Sequence, residues 1–101
     1  MLGHNQKRLG AEVIADMLAG YGVTHVFMVP AVLRRTFAEM EKRTSIARIH
    51  CHGEKSAAYM ADGYARASGR PGICLAQAVG AANIAAGLRD AYMGHSPVIC
   101  L

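Results

Sequence analysis

The sequence predicts a parallel α/β sheet, and three observations support that fold class. Four short apolar runs alternate with segments of helical periodicity along 101 residues. No linker, low-complexity segment or internal repeat divides the chain, so we expect one domain at most. Strands that are separated by helices pair in parallel through right-handed crossovers. The predicted strands are residues 24–29, 45–51, 73–77 and 96–101.

Apolar side chains spaced by three or four positions predict the first two helices. In residues 9–20 they are Leu9, Val13, Met17 and Leu18, and glycines at 20 and 22 end that helix. The strand 24–29 follows and stops at a proline, which has no N–H to donate to a sheet. In residues 33–42 the apolar face consists of Leu33, Phe37 and Met40, with charged side chains opposite.

Small residues dominate the other two predicted helices, 53–68 and about 81–92. The third helix follows the strand 45–51 and ends at Gly69. A turn, GRPG, then leads into the strand 73–77, and the fourth helix leads into the strand 96–101. So many alanines allow close packing of the third helix against a sheet or a second subunit. Its predicted inner side consists of Ala57, Ala58, Ala61, Tyr64 and Ala65.

Composition and charge narrow the possible classes of protein. The chain is 52% hydrophobic and 18% charged, with a formal net charge of +4, which is typical of a globular domain. Its cations are scattered in ones and twos without interleaved aromatics, so nucleic-acid binding is not predicted. No run approaches the roughly 20 apolar residues of a membrane span, and the N-terminus lacks a signal-peptide core. We expect a cytoplasmic protein.

Two features of the strands add to these expectations. Cys51, Cys74 and Cys100 fall at or near predicted strands with spacings that match no metal motif, so we predict buried free thiols in a reducing compartment. The last strand ends at the last residue of the chain. A strand with helices on both sides belongs inside a sheet, so we expect a domain that is truncated after its fourth strand.

Glu54 is the first candidate for chemistry, because it lies at the start of a helix directly after a strand. Open parallel sheets bind ligands at that edge, although an acid there also simply favours the helix dipole. His50 and His52 would face the same side of an extended segment, but no third ligand is near in sequence, so a metal site is not predicted. Asp62 and Arg66 are four apart on a helix and are predicted to form a surface pair.

The segment AVGAAN, residues 78–83, is a turn of small residues between a strand and a helix. Such a turn brings backbone close to a ligand, but tight helix packing requires the same residues. The chain contains no phosphate-binding GxGxxG, no GxxxxGK[ST] and no GxSxG elbow. Nucleotide-binding and serine-hydrolase activities are therefore not predicted.

Four collinear segments over about 80 residues connect the chain to a known family. They are GVTHVFMVPA (22–31), AAYMADGYARASGRPG (57–72), AVGAANIAAGL (78–88) and DAYMGHSPVI (90–99). Together they resemble the pyrimidine-binding (PYR) domain of thiamine diphosphate-dependent enzymes, the group of acetolactate synthase, pyruvate oxidase and benzoylformate decarboxylase. The resemblance implies that residues 1–101 are the N-terminal part of a lyase or carboligase (transferase) that acts on a 2-oxo acid.

The resemblance also implies roles for individual residues. The family's glutamate at the position of Glu54 shares a proton with N1′ of the cofactor's aminopyrimidine, which favours the tautomer that deprotonates the thiazolium C2. Backbone at the positions of Pro30, Gly80 and Asn83 lines the cofactor pocket. The family commonly has glycines around the proline, a GPG turn near Gly80 and a histidine directly before the acid. This chain departs from all three patterns, which leaves its substrate open.

The implied partners follow from what the chain lacks. The family holds Mg²⁺ and the diphosphate with a GDG…N motif on a second (PP) domain, and no such motif exists here. We therefore expect half a site that is inactive alone and is completed in a homodimer, a homotetramer or by a second chain. A non-catalytic or split subunit is the alternative. FAD would occupy a middle domain outside these residues, so its presence stays open.

Overall fold

A computed structural model describes residues 7–31 and 33–101, and within them the predicted parallel α/β fold is confirmed. The strands form one four-stranded parallel sheet in the order β2-β1-β3-β4. Each strand is shorter than its prediction. The strands are β1 (His25–Met28), β2 (Ala47–His50), β3 (Gly72–Leu75) and β4 (Val98–Cys100), and the helices are α1 (Gly10–Gly20), α2 (Arg34–Arg43), α3 (Glu54–Ser68), α4 (Val79–Asn83) and α5 (Ala85–Met93).

Alternation along the central strands divides the apolar core between the two faces of the sheet. Val26 and Met28 of β1 face one side, where Ala15 and Leu18 of α1 and Met40 of α2 cover them. Phe27 faces the other side. There it packs with Cys74 of β3, with three alanines of α3 and with Ile84. Both faces of the sheet are therefore covered, as is usual for parallel sheets.

The apolar stripe predicted for α1 is partly wrong. Leu18 is buried as expected, but Leu9, Val13 and Met17 are 56%, 39% and 48% exposed. These three residues are four positions apart and share one stripe, whereas the helix faces the sheet through Ala15 and Leu18. The small Ala15 allows a close approach that a larger side chain would prevent. Hydrophobic spacing alone did not reveal which stripe faces the sheet.

Ion pairs join α1 to the end of α2. Arg43 contacts Asp16 through Nε and Nη2 at 2.9 and 2.7 Å, and its Nη1 lies 3.3 Å from Glu12. Arg8 also donates to Asp16. The hydrogen bond from Arg43 is the main reason that the pKa of Asp16 falls from 3.8 to about 2. The two helices that cover one face of the sheet are thus linked through Arg43 and two carboxylates of α1.

The alanine face of α3 packs closely on the other side of the sheet, as predicted. Ala57, Ala58, Ala61 and Ala65 are buried, and Tyr64 is half-buried. A Cβ on Gly72 of β3 would overlap the carbonyl group of Ala61, and one on Gly87 of α5 would overlap Ala58. Gly69 ends the helix in the left-handed region at φ 71°, the predicted role. The packing therefore depends on small residues in both partners.

The Asp62–Arg66 pair differs from its prediction as a surface pair. Arg66 Nε donates to Asp62 Oδ1 at 2.9 Å, but Asp62 is only 6% exposed. The reason is that α5 packs along this side of α3, and Arg66 reaches the carbonyl of Asp90 on α5 at 3.5 Å. The hydrogen bond from Arg66 lowers the pKa of Asp62.

Two further expectations are corrected. The single helix predicted for residues 81–92 begins earlier, at Val79, and is divided at Ile84, which is almost fully buried in the core. Cys51 and Cys74 are buried free thiols as predicted, but Cys100 is exposed because β4 is an edge strand. Burial, and then the neighbouring Cys100, raises the pKa of Cys74 to about 12.

Within the described residues, no helix has the length and apolarity needed to cross a bilayer.

Replacing Gly72 with alanine tests the close approach of α3 and β3. The added methyl group would overlap the Ala61 carbonyl, so we expect the free energy of unfolding to fall by about 1–3 kcal/mol. Gly63→Ala is the matched control, because Gly63 is exposed on the same helix with no atom near its Cβ position. There we expect a gain of about 0.5–1 kcal/mol from helix propensity. Equal thermal midpoints for the two variants would contradict the packing argument.

Acid titration of stability tests the link through Asp16. Because the folded-state pKa of Asp16 is lowered from 3.8 to about 2, its contribution to stability is complete above about pH 4. That contribution is lost as the pH falls through about 2. Asp16→Asn should therefore be less stable than the unaltered chain at pH 7, and the difference should shrink between pH 4 and pH 2 in urea titrations. A pH-independent difference would show that the charge of Asp16 is not the cause.

Candidate functional site

The candidate site lies at the carboxyl edge of the sheet. The inner strands β1 and β3 are neighbours in the sheet. From β1 the chain continues through α2 to β2 on one side of this pair, whereas from β3 it continues through α4 and α5 to β4 on the other side. Where neighbouring strands continue in opposite directions, a crevice opens beyond their carboxyl ends. Pro30 follows β1 at this edge, and the turn 76–80 follows β3.

Glu54 is the first residue of α3 and enters this edge from the end of β2. The residue before it, Gly53, is extended, with φ −156° and ψ 157°, so the chain turns sharply from strand to helix. Glu54 as a residue is half-buried, and its Oε1 accepts an exposed hydrogen bond of 3.3 Å from Asn83 Nδ2. The acid and the amide are 29 positions apart in the sequence. Only the fold brings them together.

Gly80 provides the other side of the carboxyl group. A Cβ at this position would lie 2.7 Å from Glu54 Oε2 and 2.8 Å from its Cγ. The carboxylate therefore lies directly against the main chain of α4, and only glycine leaves the necessary space. The turn before it is tight: Gly80 N–H donates to the Gln77 carbonyl at 2.9 Å, and Ala78 has a positive φ of 52°.

An open cleft of about 360 Å³ surrounds this carboxyl group. Three of its six lining residues are glycine or alanine, which leaves room for a planar group beside one carboxylate and one carboxamide. The Asn83 amide donates to one carboxylate oxygen, and the carboxylate has further lone pairs that can accept a hydrogen bond from a ligand. The lining residues are Gly53, Glu54, Lys55, Ala82, Asn83 and Ala86.

The fold brings together three of the four residues singled out from the sequence. Gly80 and Asn83 both contact the Glu54 carboxyl group. Pro30 lies at the same edge but outside the residues that line the cleft. Sequence reasoning did not identify Lys55 or the alanines at 82 and 86 as lining residues. Their only signal was their proximity in sequence to Glu54 and Asn83.

Two of the other cavities lie at opposite edges of the sheet, and the sequence did not predict them. One, of about 300 Å³, lies at the same edge and is lined by Ala31, Leu33, Arg34, Arg35, Thr36 and Gln77. The other, of about 320 Å³, is mostly apolar, lies at the opposite edge near Tyr21 and Ile99, and has no carboxylate in its lining.

Within residues 7–31 and 33–101, no group of three His, Cys, Asp or Glu side chains is arranged to hold a metal ion. His50 stacks near Phe37, with ring centroids 5.8 Å apart.

Substituting Gly80 tests the contact with the carboxyl group. In Gly80→Ala the new methyl group must displace Glu54 Oε2, so the hydrogen bond from Asn83 should break. We expect the Asn83 side-chain amide resonances to move toward the positions of a solvent-exposed amide. Gly53→Ala is the control, because Gly53 is extended and has open space at its Cβ position. Unmoved Asn83 resonances in Gly80→Ala would contradict the geometry.

Comparison with known proteins gives a family match over nearly the whole chain. The family described as "Thiamine pyrophosphate enzyme, N-terminal TPP binding domain" matches residues 8–101. Acetolactate synthase 2, chloroplastic, from Nicotiana tabacum is 34% identical over 99 residues, covering 96% of this chain and 15% of the relative. The probable acetolactate synthase large subunit of Methanocaldococcus jannaschii is 38% identical over 93 residues, covering 91% and 16%.

A relative with another printed activity matches equally well. The probable 2-ketoarginine decarboxylase of Pseudomonas aeruginosa is 35% identical over 98 residues, covering 95% of this chain and 18% of the relative. The chain thus spans less than a fifth of the length of the relatives that it matches.

Proposed function

Because this chain belongs to the thiamine pyrophosphate enzymes, as part of their N-terminal TPP-binding domain, we propose that it supplies the glutamate side of a thiamine diphosphate site that acts on a 2-oxo acid. One observation carries the proposal: the Glu54 carboxyl group is fixed between the Asn83 amide and the bare main chain of Gly80. Lyase and carboligase chemistry are both compatible with this role.

The residues present fit the aminopyrimidine end of the cofactor. That ring is flat and has two ring nitrogens and an amino group that can form hydrogen bonds. Such a ring suits a cleft that contains one carboxyl group and several glycine and alanine residues. The space that a Cβ at Gly80 would fill is occupied by the carboxyl group itself. When bound, thiamine diphosphate supplies the electron sink that stabilises negative charge on the carbon of a 2-oxo acid.

Each of the four candidate residues has a distinct part in the proposal. Glu54 holds a proton at one of its carboxyl oxygens and shares it with N1′ of the aminopyrimidine ring. Asn83 is a positioning residue, since its amide fixes Oε1 of that carboxyl group. Gly80 lets the carboxyl group lie against α4, and Pro30 lies two residues after β1 at the same edge of the sheet. A base that is fixed beforehand loses little freedom when the ligand binds.

The remaining parts of the site would come from outside these residues. No cluster of ligands for a metal lies within 7–31 and 33–101, so Mg²⁺ and the diphosphate belong on a second domain in this proposal. That domain would come from a second subunit of a homodimer or homotetramer, or from a separate chain. We propose a cytoplasmic location, because all three cysteines are free thiols and thiols persist in reducing compartments.

The proposal is tested first by calorimetry with thiamine diphosphate and Mg²⁺. We expect weak binding or none to this chain alone and tight binding once the domain that holds the diphosphate is present on the same or another chain. Binding should be lost on Glu54→Ala, since the carboxyl group contacts the ring directly. Unchanged binding in that variant, or no binding in either preparation, would contradict the proposal.

A conservative variant separates catalysis from folding. Glu54→Gln keeps the size and polarity of the side chain but cannot hold the shared proton. We expect its thermal midpoint to stay close to that of the unaltered protein, while turnover of a 2-oxo acid by the complete enzyme falls at least about a hundredfold. The control is Glu41→Gln, because Glu41 is exposed on α2 and contacts Arg48 at 3.2 Å, away from the cleft. Near-normal turnover by Glu54→Gln would refute the assigned role.

A further inference from the structure

The second cavity at the carboxyl edge has the chemistry of an anion site. We call it the arginine cavity, with the lining residues Ala31, Leu33, Arg34, Arg35, Thr36 and Gln77 and a volume of about 300 Å³. None of these residues lines the Glu54 cleft. It lies where the segment after β1 meets the segment after β3, and this is the crevice of the sheet.

The charges of this cavity are unbalanced in the part of the chain that the structure describes. Arg34 and Arg35 are the first two residues of α2, whose first turn contains no acid. Neither arginine lies within 4.0 Å of a described carboxylate, whereas Arg43 at the other end of the helix contacts two. Cations at the start of a helix are opposed by its dipole. This placement costs stability unless an anion is bound.

Gln77 adds a neutral donor to the two guanidinium groups. The Leu33 N–H donates to Gln77 Oε1 at 2.8 Å, which fixes the carboxamide across the crevice. Because its oxygen is occupied, the amide nitrogen of Gln77 remains as the donor. The lining therefore combines guanidinium and amide N–H groups without a described carboxylate. Guanidinium groups bind carboxylates with paired, charge-assisted hydrogen bonds.

The arginine cavity adjoins the Glu54 cleft through one turn. Gly80 N–H donates to the Gln77 carbonyl, so the Cα atoms of these residues lie within about 7 Å of each other. Gln77 lines the arginine cavity, and Gly80 touches the Glu54 carboxyl group. A molecule bound in the arginine cavity would therefore lie beside the site proposed for the cofactor ring.

We propose that the arginine cavity binds the retained carboxylate of a dicarboxylic 2-oxo acid. The inference rests on the proposed function, because that function identifies the 2-oxo group as the reacting end of the molecule. The arginines serve the carboxylate that stays rather than the one that leaves, because tight ion pairs to a departing carboxylate would stabilise the ground state and slow its loss. The cavity is thus a specificity site that favours acidic substrates over pyruvate.

Binding can be measured on this chain without cofactor. The probe is glutarate, a dicarboxylate without a reactive carbonyl, titrated by NMR, with its uncharged dimethyl ester as the control ligand. We expect glutarate to shift the side-chain resonances of Arg34, Arg35 and Gln77, and the ester to shift none of them. The double variant Arg34→Gln/Arg35→Gln should bind glutarate about tenfold more weakly or worse. Lys42→Gln removes the same charge from the far end of α2 and should leave binding unchanged.

Stability separates loss of the site from loss of the fold. The double Gln variant should melt at or above the temperature of the unaltered chain, because it removes cations that oppose the helix dipole. Should it unfold, Arg34→Lys/Arg35→Lys keeps the charges but not the planar fork, and it should also weaken glutarate binding. Equal glutarate affinity in the folded Gln variant would overturn the proposal. Shifts of these resonances by inorganic phosphate but not by glutarate would overturn the carboxylate assignment.

Substrate preference in the complete enzyme tests the second half of the inference. The ratio of kcat/KM for 2-oxoglutarate to that for pyruvate should fall about tenfold or more in Arg34→Gln/Arg35→Gln. An unchanged ratio would refute a role in specificity. The glutarate titration needs neither cofactor nor Glu54. If glutarate binds and Glu54→Gln keeps full turnover, the proposed role of Glu54 fails alone; if thiamine diphosphate binds and glutarate does not, the arginine cavity fails alone.

Discussion

The contact between the alanine face of α3 and the main chain of β3 determines where the other parts of this fold lie. With glycine at position 72, strand and helix approach until the main chain of β3 meets the main chain of α3 at Ala61. Gly87 against Ala58 brings α5 close to α3 as well. Since Glu54 is the first residue of α3, the depth of this packing also sets the position of its carboxyl group.

The same use of small residues continues into the candidate site. Gly80 leaves the space that the Glu54 carboxyl group fills, and the short helix α4 then presents Asn83 to Oε1. The neighbouring arginine cavity is built differently. It uses long charged side chains and a glutamine that bridges the two segments of the crevice. In the two proposals, a contact for the cofactor thus adjoins a polar cavity that distinguishes substrates.

Much of the fold could be predicted because its signals are local. Apolar periodicity gave the alternation of helices and strands, and Glu54, Gly80 and Asn83 were found through a family resemblance whose motifs include their positions. The features that were wrong or missed depend on distant contacts. Leu9, Val13 and Met17 are exposed because Ala15 and Leu18 face the sheet, and Asp62 is buried because α5 packs over it. In the sequence nothing distinguishes Arg34 from an ordinary solvated cation, because only the fold brings Gln77 into the same cavity.

The strand order has a consequence for the synthesis of the protein on the ribosome. β1 is an inner strand, yet it is made before both of its neighbours, and its partner β3 ends at Leu75, some 50 positions later. At about 5–20 residues per second, the apolar segment around Phe27 waits roughly 2–10 seconds for that partner. During this interval the edge of β1 that later pairs with β3 is exposed on the nascent chain. An unpaired strand edge can pair with another chain, so protection of β1 by a chaperone is most useful until β3 has been made.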